Sequence, residues 1–305
     1  MTGSGDCTVL ITGGTGQVGT ELLRQPWPDS VTLLAPGRAE LDLTSATSIA
    51  GWFAEHRVDC IINTAAFTAV DLAEDQAWEA LMLNAQAPAW LAGQARERSI
   101  PLLHVSTDYV FDGSQEQPYR EDDPAQPLGV YGASKLAGEL AVRAIAPRHV
   151  ILRTAWVVSP HRTNFLKTML RLAGERAEVQ VVADQIGSPT SARDLAAALR
   201  QVALTHLAQD GAPTGTYHFA NAGSTSWHGL AEAVMAASRA RGGPAALVTP
   251  IGNDAWPTRA RRPANSRLDC VAIARDFGIA PRPWEPGIAE VVGELLAAEH
   301  AKTAA

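Results

Sequence analysis

An apolar strand pattern that runs straight into three spaced glycines constrains this chain most. Val9-Leu10-Ile11-Thr12 leads into Gly13, Gly16 and Gly19, and the apolar spacing of Val18, Leu22 and Leu23 then becomes helical. A chain that turns from strand to helix through glycines brings its backbone close to whatever sits at the turn. A helix N-terminus favours negative charge, so a pyrophosphate suits the place. The G-x-x-G-x-x-G spacing is a variant of the dinucleotide-binding fingerprint, and alone it also describes a plain strand–helix turn.

The alternation continues. Val31–Leu34 reads as a second strand, Ser45–His56 as an amphipathic helix and Val58–Ile62 as a third strand. Glu74–Arg98 reads as one long helix, Leu102–Val105 as strand four, Tyr131–Ala144 as a helix and Val150–Arg153 as strand five. Strands alternating with helices predict an α/β, Rossmann-like doubly wound parallel sheet. Ligands of such sheets bind beyond the carboxyl ends of the strands. The glycine turn, Asn63-Thr64-Ala65-Ala66, Ser106-Thr107-Asp108 and Arg153-Thr154-Ala155-Trp156 all follow strand ends, so they should line one crevice. From about residue 160 the rhythm loosens into loop chemistry at Asp184–Thr190 and into Pro- and Arg-rich segments around 256–263. The expected organisation is a cofactor domain over residues 1–160 and a smaller C-terminal substrate-binding lobe over 161–305, interleaved with late sheet elements.

Composition narrows the setting. With 305 residues and 46% hydrophobic content the chain can bury a sizeable core. A net charge of −7 argues against a nucleic-acid partner, so an anionic substrate needs local cations. No charged segment precedes an apolar h-region and no apolar run approaches a membrane span, so a cytoplasmic protein is expected. Cys7, Cys60 and Cys270 lack zinc spacing and fit reduced thiols, with Cys60 in a core strand.

Tyr131-Gly-Ala-Ser-Lys135 puts a phenol and an ammonium four residues apart on one helix face. The ammonium is expected to lower the phenol's pKa. Such a tyrosine can pass a proton to or from a carbonyl oxygen. Ordinary solvated helices also carry this spacing. The glycine turn, and Ser106-Thr107-Asp108 at the preceding strand end, weigh against that plainer reading.

Taken in order, these segments resemble the extended short-chain dehydrogenase/reductases and, within them, the dTDP-4-dehydrorhamnose reductase family. The resemblance is carried by Gly13–Gly19, Asn63–Asp71, Ser106–Phe111, Tyr131–Glu139, Arg153–Val157, Asn164-Phe165, Asp184–Thr190 and Arg261-Arg262-Pro263 with Asn265-Ser266. It implies NAD(P)H-dependent reduction of a C4 ketone on a dTDP-linked 6-deoxy sugar, dTDP-4-dehydro-L-rhamnose. Tyr131 would protonate the new alkoxide. Lys135 would bind the nicotinamide ribose and hold Tyr131 at a useful pKa. Thr107 would hydrogen-bond the carbonyl oxygen as charge develops. The cofactor would meet Gly13, Gly16, Gln17, Val18, Ala65, Ala66, Phe67 and Thr68 besides Tyr131 and Lys135. On the substrate side, Trp156 covers a sugar face or packs in the core, and Asp108 bonds a sugar hydroxyl or ties down its loop. Asn164 and Gln185 are polar candidates there. Arg262 pairs with the nucleotide diphosphate or belongs, with Arg259 and Arg261, to a solvated basic loop.

An NAD-selective site usually carries Asp or Glu at the end of strand two. Here Ala35-Pro36-Gly37-Arg38 follows that strand, so Arg38 is expected to meet a 2′-phosphate and favour NADPH, with NADH still accepted. Asp42 and Leu43 are expected to border the adenine. Some relatives are thought to dimerise through a carboxylate-bound metal, which Glu21 and Glu294 would suit. Arg193 stands where a third acid belongs, so no metal is expected, and a homodimer stays open. Other readings compete. A sugar-nucleotide dehydratase usually carries Asp-Glu after the Thr, whereas Tyr109 follows Thr107-Asp108 here. An epimerase would retain its nicotinamide through the cycle. Reductases of other dTDP-4-keto-6-deoxy sugars, such as the one leading to dihydrostreptose, share the triad. A non-catalytic regulatory subunit like the methionine adenosyltransferase beta subunit need not keep it.

Overall fold

The computed structural model describes residues 6–303. Strands β1 (Cys7–Thr12), β2 (Val31–Leu34), β3 (Cys60–Asn63), β4 (Leu102–Thr107) and β5 (His149–Thr154) build a parallel sheet. Four short strands follow, β6 (Val157–Val158), β7 (Glu178–Val182), β8 (Ile186–Gly187) and β9 (Thr190–Ser191), before β10 (Gly215–His218) rejoins the sheet beside β5. The order across it is β2-β1-β3-β4-β5-β10. The chain leaves β1 for β2 and then returns to β3 on the other side of β1. Order therefore reverses between β1 and β3, the position where open α/β sheets hold ligands.

Helices cover both faces. They are α1 (Gln17–Leu23), α2 (Ala46–Glu55), α3 (Val70–Ala73), α4 (Ala77–Leu81), α5 (Ala87–Arg98), α6 (Val130–Ile145), α7 (Phe165–Glu175) and α8 (Ala192–Ala208). Period-two alternation sorts the strand side chains between them. Val9, Ile11, Cys60, Ile62, Leu103 and Leu152 share a core with Leu22 of α1 and Leu195, Leu199 and Val202 of α8. Leu10, Ile61, Leu102 and Ile151 point the other way, onto Ile49 and Phe53 of α2, Leu91 of α5 and Val142 of α6. Burial of such side chains stabilises by ~1.5–3 kcal/mol each. Burial also pushes the Cys60 thiol up to about 12, which keeps it protonated and inert.

A second core lies beyond the carboxyl end of β5. It joins Leu166 and Met169 of α7, Val179 and Val181 of β7, Leu230 and Val234 of α9 (Trp227–Arg239), and Ile288 and Val292 of α11 (Trp284–Thr303). Strand β12 (Leu247–Ile251) pairs with β7 at its edge. No helix of the described residues is long and apolar enough to cross a membrane.

The expected long helix over Glu74–Arg98 is not continuous. Short α3 and α4 give way to a π-helical turn, Met82–Gln86, and only then to α5. Two causes are visible. Pro88 sits in the first turn of α5, where its missing N–H costs nothing. Asn84 turns fully inward from the π turn: its side chain bonds the N–H of Phe67 at 2.8 Å, the carbonyl of Phe67 at 3.0 Å and Ser134 Oγ at 3.0 Å. Such tertiary bonds leave no trace in hydrophobic periodicity.

Candidate active site

A cavity of about 990 Å³ opens at the carboxyl ends of β1, β3, β4 and β5. Its floor at β1 is the glycine turn, where Gly13 has φ +73° and a Cβ on Gly19 would sit 2.2 Å from the Gly13 carbonyl oxygen. Only glycine fits either place. Gly13, Gly16, Gln17 and Val18 line this end, with Ala65, Ala66 and Thr68 from the segment after β3. Bare backbone where side chains would collide is the surface a dinucleotide phosphate requires. Phe67 stays out of the lining, because its main chain is held by Asn84. Gln17 spends its side-chain oxygen on Asn164 Nδ2, 2.8 Å away, and on Ser159 Oγ at 2.9 Å.

Helix α6 brings Tyr131 and Lys135 to the middle of the cavity. Its first turn is capped from outside: Glu74 Oε1 accepts the N–H of Val130 at 2.8 Å. Lys135, 2% exposed, donates to the Val105 carbonyl of β4 at 2.7 Å. Burial lowers this ammonium to about 8, with Glu139 opposing. The expectation that the ammonium depresses the Tyr131 phenol is reversed. Burial pushes that phenol above its ordinary value, the Thr107 hydroxyl bonded to it opposes, and the Asp108 charge adds to the rise. Tyr131 thus keeps its proton throughout the neutral range.

Thr107 and Asp108 close β4. Thr107 Oγ1 donates to Asp108 Oδ1 at 2.9 Å and accepts the Tyr109 N–H at 3.2 Å. Asp108 is 2% exposed, and its Oδ2 finds no hydrogen-bond partner among the described residues. Burial raises this carboxyl to about 7, while the Thr107 and Ser266 hydroxyls pull it down. A carboxyl titrating at neutrality beside a phenol and a hydroxyl is a proton-handling arrangement.

The wall beyond β5 is aromatic. Trp156 stacks on Trp227 with ring centroids 3.6 Å apart, donates Nε1 to Ser266 Oγ at 3.0 Å and packs its six-membered ring against Gly187. Its backbone takes φ +48°, an uncommon conformation for a bulky residue. Gln185 Oε1 accepts from Trp227 Nε1 at 3.1 Å, and its Nε2 donates to Asn253 Oδ1 at 2.7 Å. Asn164 caps α7 through Lys167 N, and its amide N–H groups go to Gln17 and to the Ser159 carbonyl. Of the three clustered arginines, Arg262 lines the cavity and pairs with Asp71 at 2.8 Å, while Arg259 pairs with Asp75.

Some candidates stand apart. Arg38, 82% exposed at its side chain, lies 3.9 Å from Asp42, and neither they nor Leu43 line the cavity. The Asp42 carboxylate accepts the N–H and hydroxyl of Thr44. Glu40, six residues beyond β2, folds back onto the Gly37 N–H at 2.8 Å. Glu21 and Glu294 both face Arg24 and Arg193, whose guanidinium groups neutralise them. Sequence reading missed Trp227, Asn84, Glu74 and Ser266 as site-building residues. A stacked indole, a buried amide, a distant cap and a bridging hydroxyl act through tertiary contacts alone.

The sequence pattern of the family described as RmlD substrate binding domain matches residues 7–297. The chain is 42% identical over 289 residues to a dTDP-4-dehydrorhamnose reductase of Sinorhizobium fredii, covering 94% of this chain and 97% of that one. It is 38% identical over 296 residues, 96% and 97% of the two chains, to a probable dTDP-4,6-dihydroxy-2-methyloxan-3-one 4-ketoreductase of Streptomyces antibioticus. The fold matches the crystal structure of a Bacillus anthracis dTDP-4-dehydrorhamnose reductase in complex with NADP. The TM-score is 0.87 at 34% identity, over 95% of this chain and 99% of the other.

Proposed function

This chain belongs to the RmlD substrate-binding-domain family, and on that premise we propose that it reduces the C4 ketone of dTDP-4-dehydro-L-rhamnose to give dTDP-L-rhamnose, using NAD(P)H. The observation that carries the reading is one cavity lined both by the glycine turn and by Thr107, Tyr131 and Lys135. The bare glycine floor fits a dinucleotide, which when bound supplies the hydride. The protein supplies the rest. Thr107 and Tyr131 hold the ketone oxygen by hydrogen bonds that strengthen as negative charge grows there. Tyr131 then gives its phenolic proton to the alkoxide, the stronger base. Lys135 keeps a positive charge beside the ribose. Trp156, Gln185 and Arg262 stand on the sugar-nucleotide side. Such an enzyme draws on cytoplasmic NAD(P)H and nucleotide sugar, which supports a cytoplasmic location.

NADPH preference rests on Arg38 meeting the 2′-phosphate, with Asp42 and Leu43 toward the adenine. The guanidinium is exposed, and Asp42, 3.9 Å away, competes for it. Comparing kcat/KM for NADPH and NADH in wild type and Arg38→Ala tests this. An unchanged preference removes Arg38 from cofactor choice.

The reaction itself is tested with a panel of dTDP-4-keto sugars, NADPH and product analysis by NMR. We expect dTDP-L-rhamnose, with one NADPH consumed per product. Faster use of another dTDP-4-keto-6-deoxy sugar selects the second reading, which the Streptomyces antibioticus relative supports. No NADPH consumption with any sugar sinks both and favours a binding subunit. Tyr131→Phe should keep NADPH binding and lose roughly 10²–10⁴ in turnover.

A further inference from the structure

A second cation flanks the glycine turn. After β6 the chain runs back from the sheet's β5 side and crosses above α1 as residues 159–164. Three contacts fasten this strap to α1: His161 Nε2 meets Glu21 Oε1 at 2.9 Å, and Gln17 Oε1 accepts from Asn164 Nδ2 at 2.8 Å and from Ser159 Oγ at 2.9 Å. Between them Arg162 is held at φ +54°, a conformation that suits glycine better than arginine. Its side chain is exposed, lines the cavity and donates Nε to the Thr15 carbonyl of the glycine turn at 2.7 Å.

Charge bookkeeping singles it out. Three cations line the cavity. Arg262 is paired with Asp71, and Lys135 is sealed against the Val105 carbonyl. Arg162 forms no ion pair among the described residues and keeps its terminal amino groups for a ligand. The chain carries −7 overall, so a diphosphate on the glycine floor gains nothing from the general field. A guanidinium fork tethered by Nε to that floor offers its other donors in a fixed plane, as phosphate oxygens require.

We propose that Arg162 is a clamp for the dinucleotide's pyrophosphate, placed by the strap at the cost of a strained backbone. The proposal rests on the dinucleotide reading of the glycine floor. Its test is therefore binding, measured by calorimetry with NADPH and, separately, with dTDP. Arg162→Ala should weaken NADPH roughly 10- to 100-fold, the span of a charge-assisted hydrogen bond. The NADPH affinity that remains should depend less on salt, and dTDP affinity should stay unchanged. Arg162→Gly separates clamp from scaffold: glycine accepts the φ without strain, so the thermal midpoint of the ligand-free protein should hold or rise while NADPH affinity falls as in Arg162→Ala. NADPH affinity within about a factor of two of wild type in both variants overturns the clamp. So does a loss of dTDP affinity with NADPH affinity intact, which would give the arginine to the sugar nucleotide. Failure of the wild type to bind NADPH overturns the dinucleotide reading, and the clamp with it.

Discussion

Thr107 has one hydroxyl proton and two claimants for it. In the structure it goes to Asp108; in the proposed reduction it is needed on the ketone oxygen. Asp108 ionises at about 7 because it is buried. Below that pH the neutral carboxyl is a weak acceptor and releases the Thr107 proton to the substrate. Above it, the carboxylate retains that proton and places a negative charge beside a growing oxyanion. Lys135, lowered to about 8, loses its charge slightly higher on the scale. Both titrations make kcat/KM fall as pH rises, and kcat/KM reports groups of the free enzyme. Asp108→Asn is expected to remove the lower inflection and leave the one toward 8. A profile unchanged in Asp108→Asn would show that this carboxyl does not titrate in the working range. At this scale the sequence was informative about placement and less so about state. Spacing and strand ends singled out Tyr131, Lys135 and Thr107, which the structure brings to one cavity. The sign of the Tyr131 shift could not, because it depends on burial that only packing creates.

Helix α6 carries Tyr131, the proposed proton donor, at its second residue, so its first turn matters more than its length. Gly129 offers no side-chain cap, and Glu74 supplies the missing acceptor. Glu74→Ala should cost about 0.5–2 kcal/mol, the usual range for a lost cap. It should also lower turnover by loosening Tyr131. Urea denaturation checks the first part: the midpoint should fall with the slope unchanged. An unshifted midpoint would mean that water caps the helix equally well. The β8 ribbon is the counterpart at the aromatic wall. A Cβ on Gly187 would meet Trp156 Cε2 at 2.4 Å. Gly187→Ala should therefore displace the stacked indoles and raise KM for the sugar nucleotide, leaving NADPH affinity near wild type. Equal damage to both ligands would mean that the wall and the floor are not independent. The strands and the start of α2 beside Ser45 were legible because local chemistry sets them. The break between α4 and α5 was not, since Asn84 is drawn inward by Phe67 and Ser134.

The whole molecule does not divide at residue 160. A cut at residue 160 looks natural where the βα rhythm loosens. Yet α8 and β10 lie beyond that cut and belong to the sheet layer. Leu195, Leu199 and Val202 cover strands β1, β3, β4 and β5 on one face, and β10 covers the edge of β5. A fragment of residues 1–160 would expose that face and that edge, which invites aggregation. We expect it to lack a cooperative thermal transition by circular dichroism. A soluble, cooperatively melting fragment would overturn this. The second core is assembled from chain on both sides of β10: α7 and β7 come before that strand, α9 and α11 after it. A lobe interrupted by a strand of the sheet cannot be cut out or exchanged as one contiguous cassette.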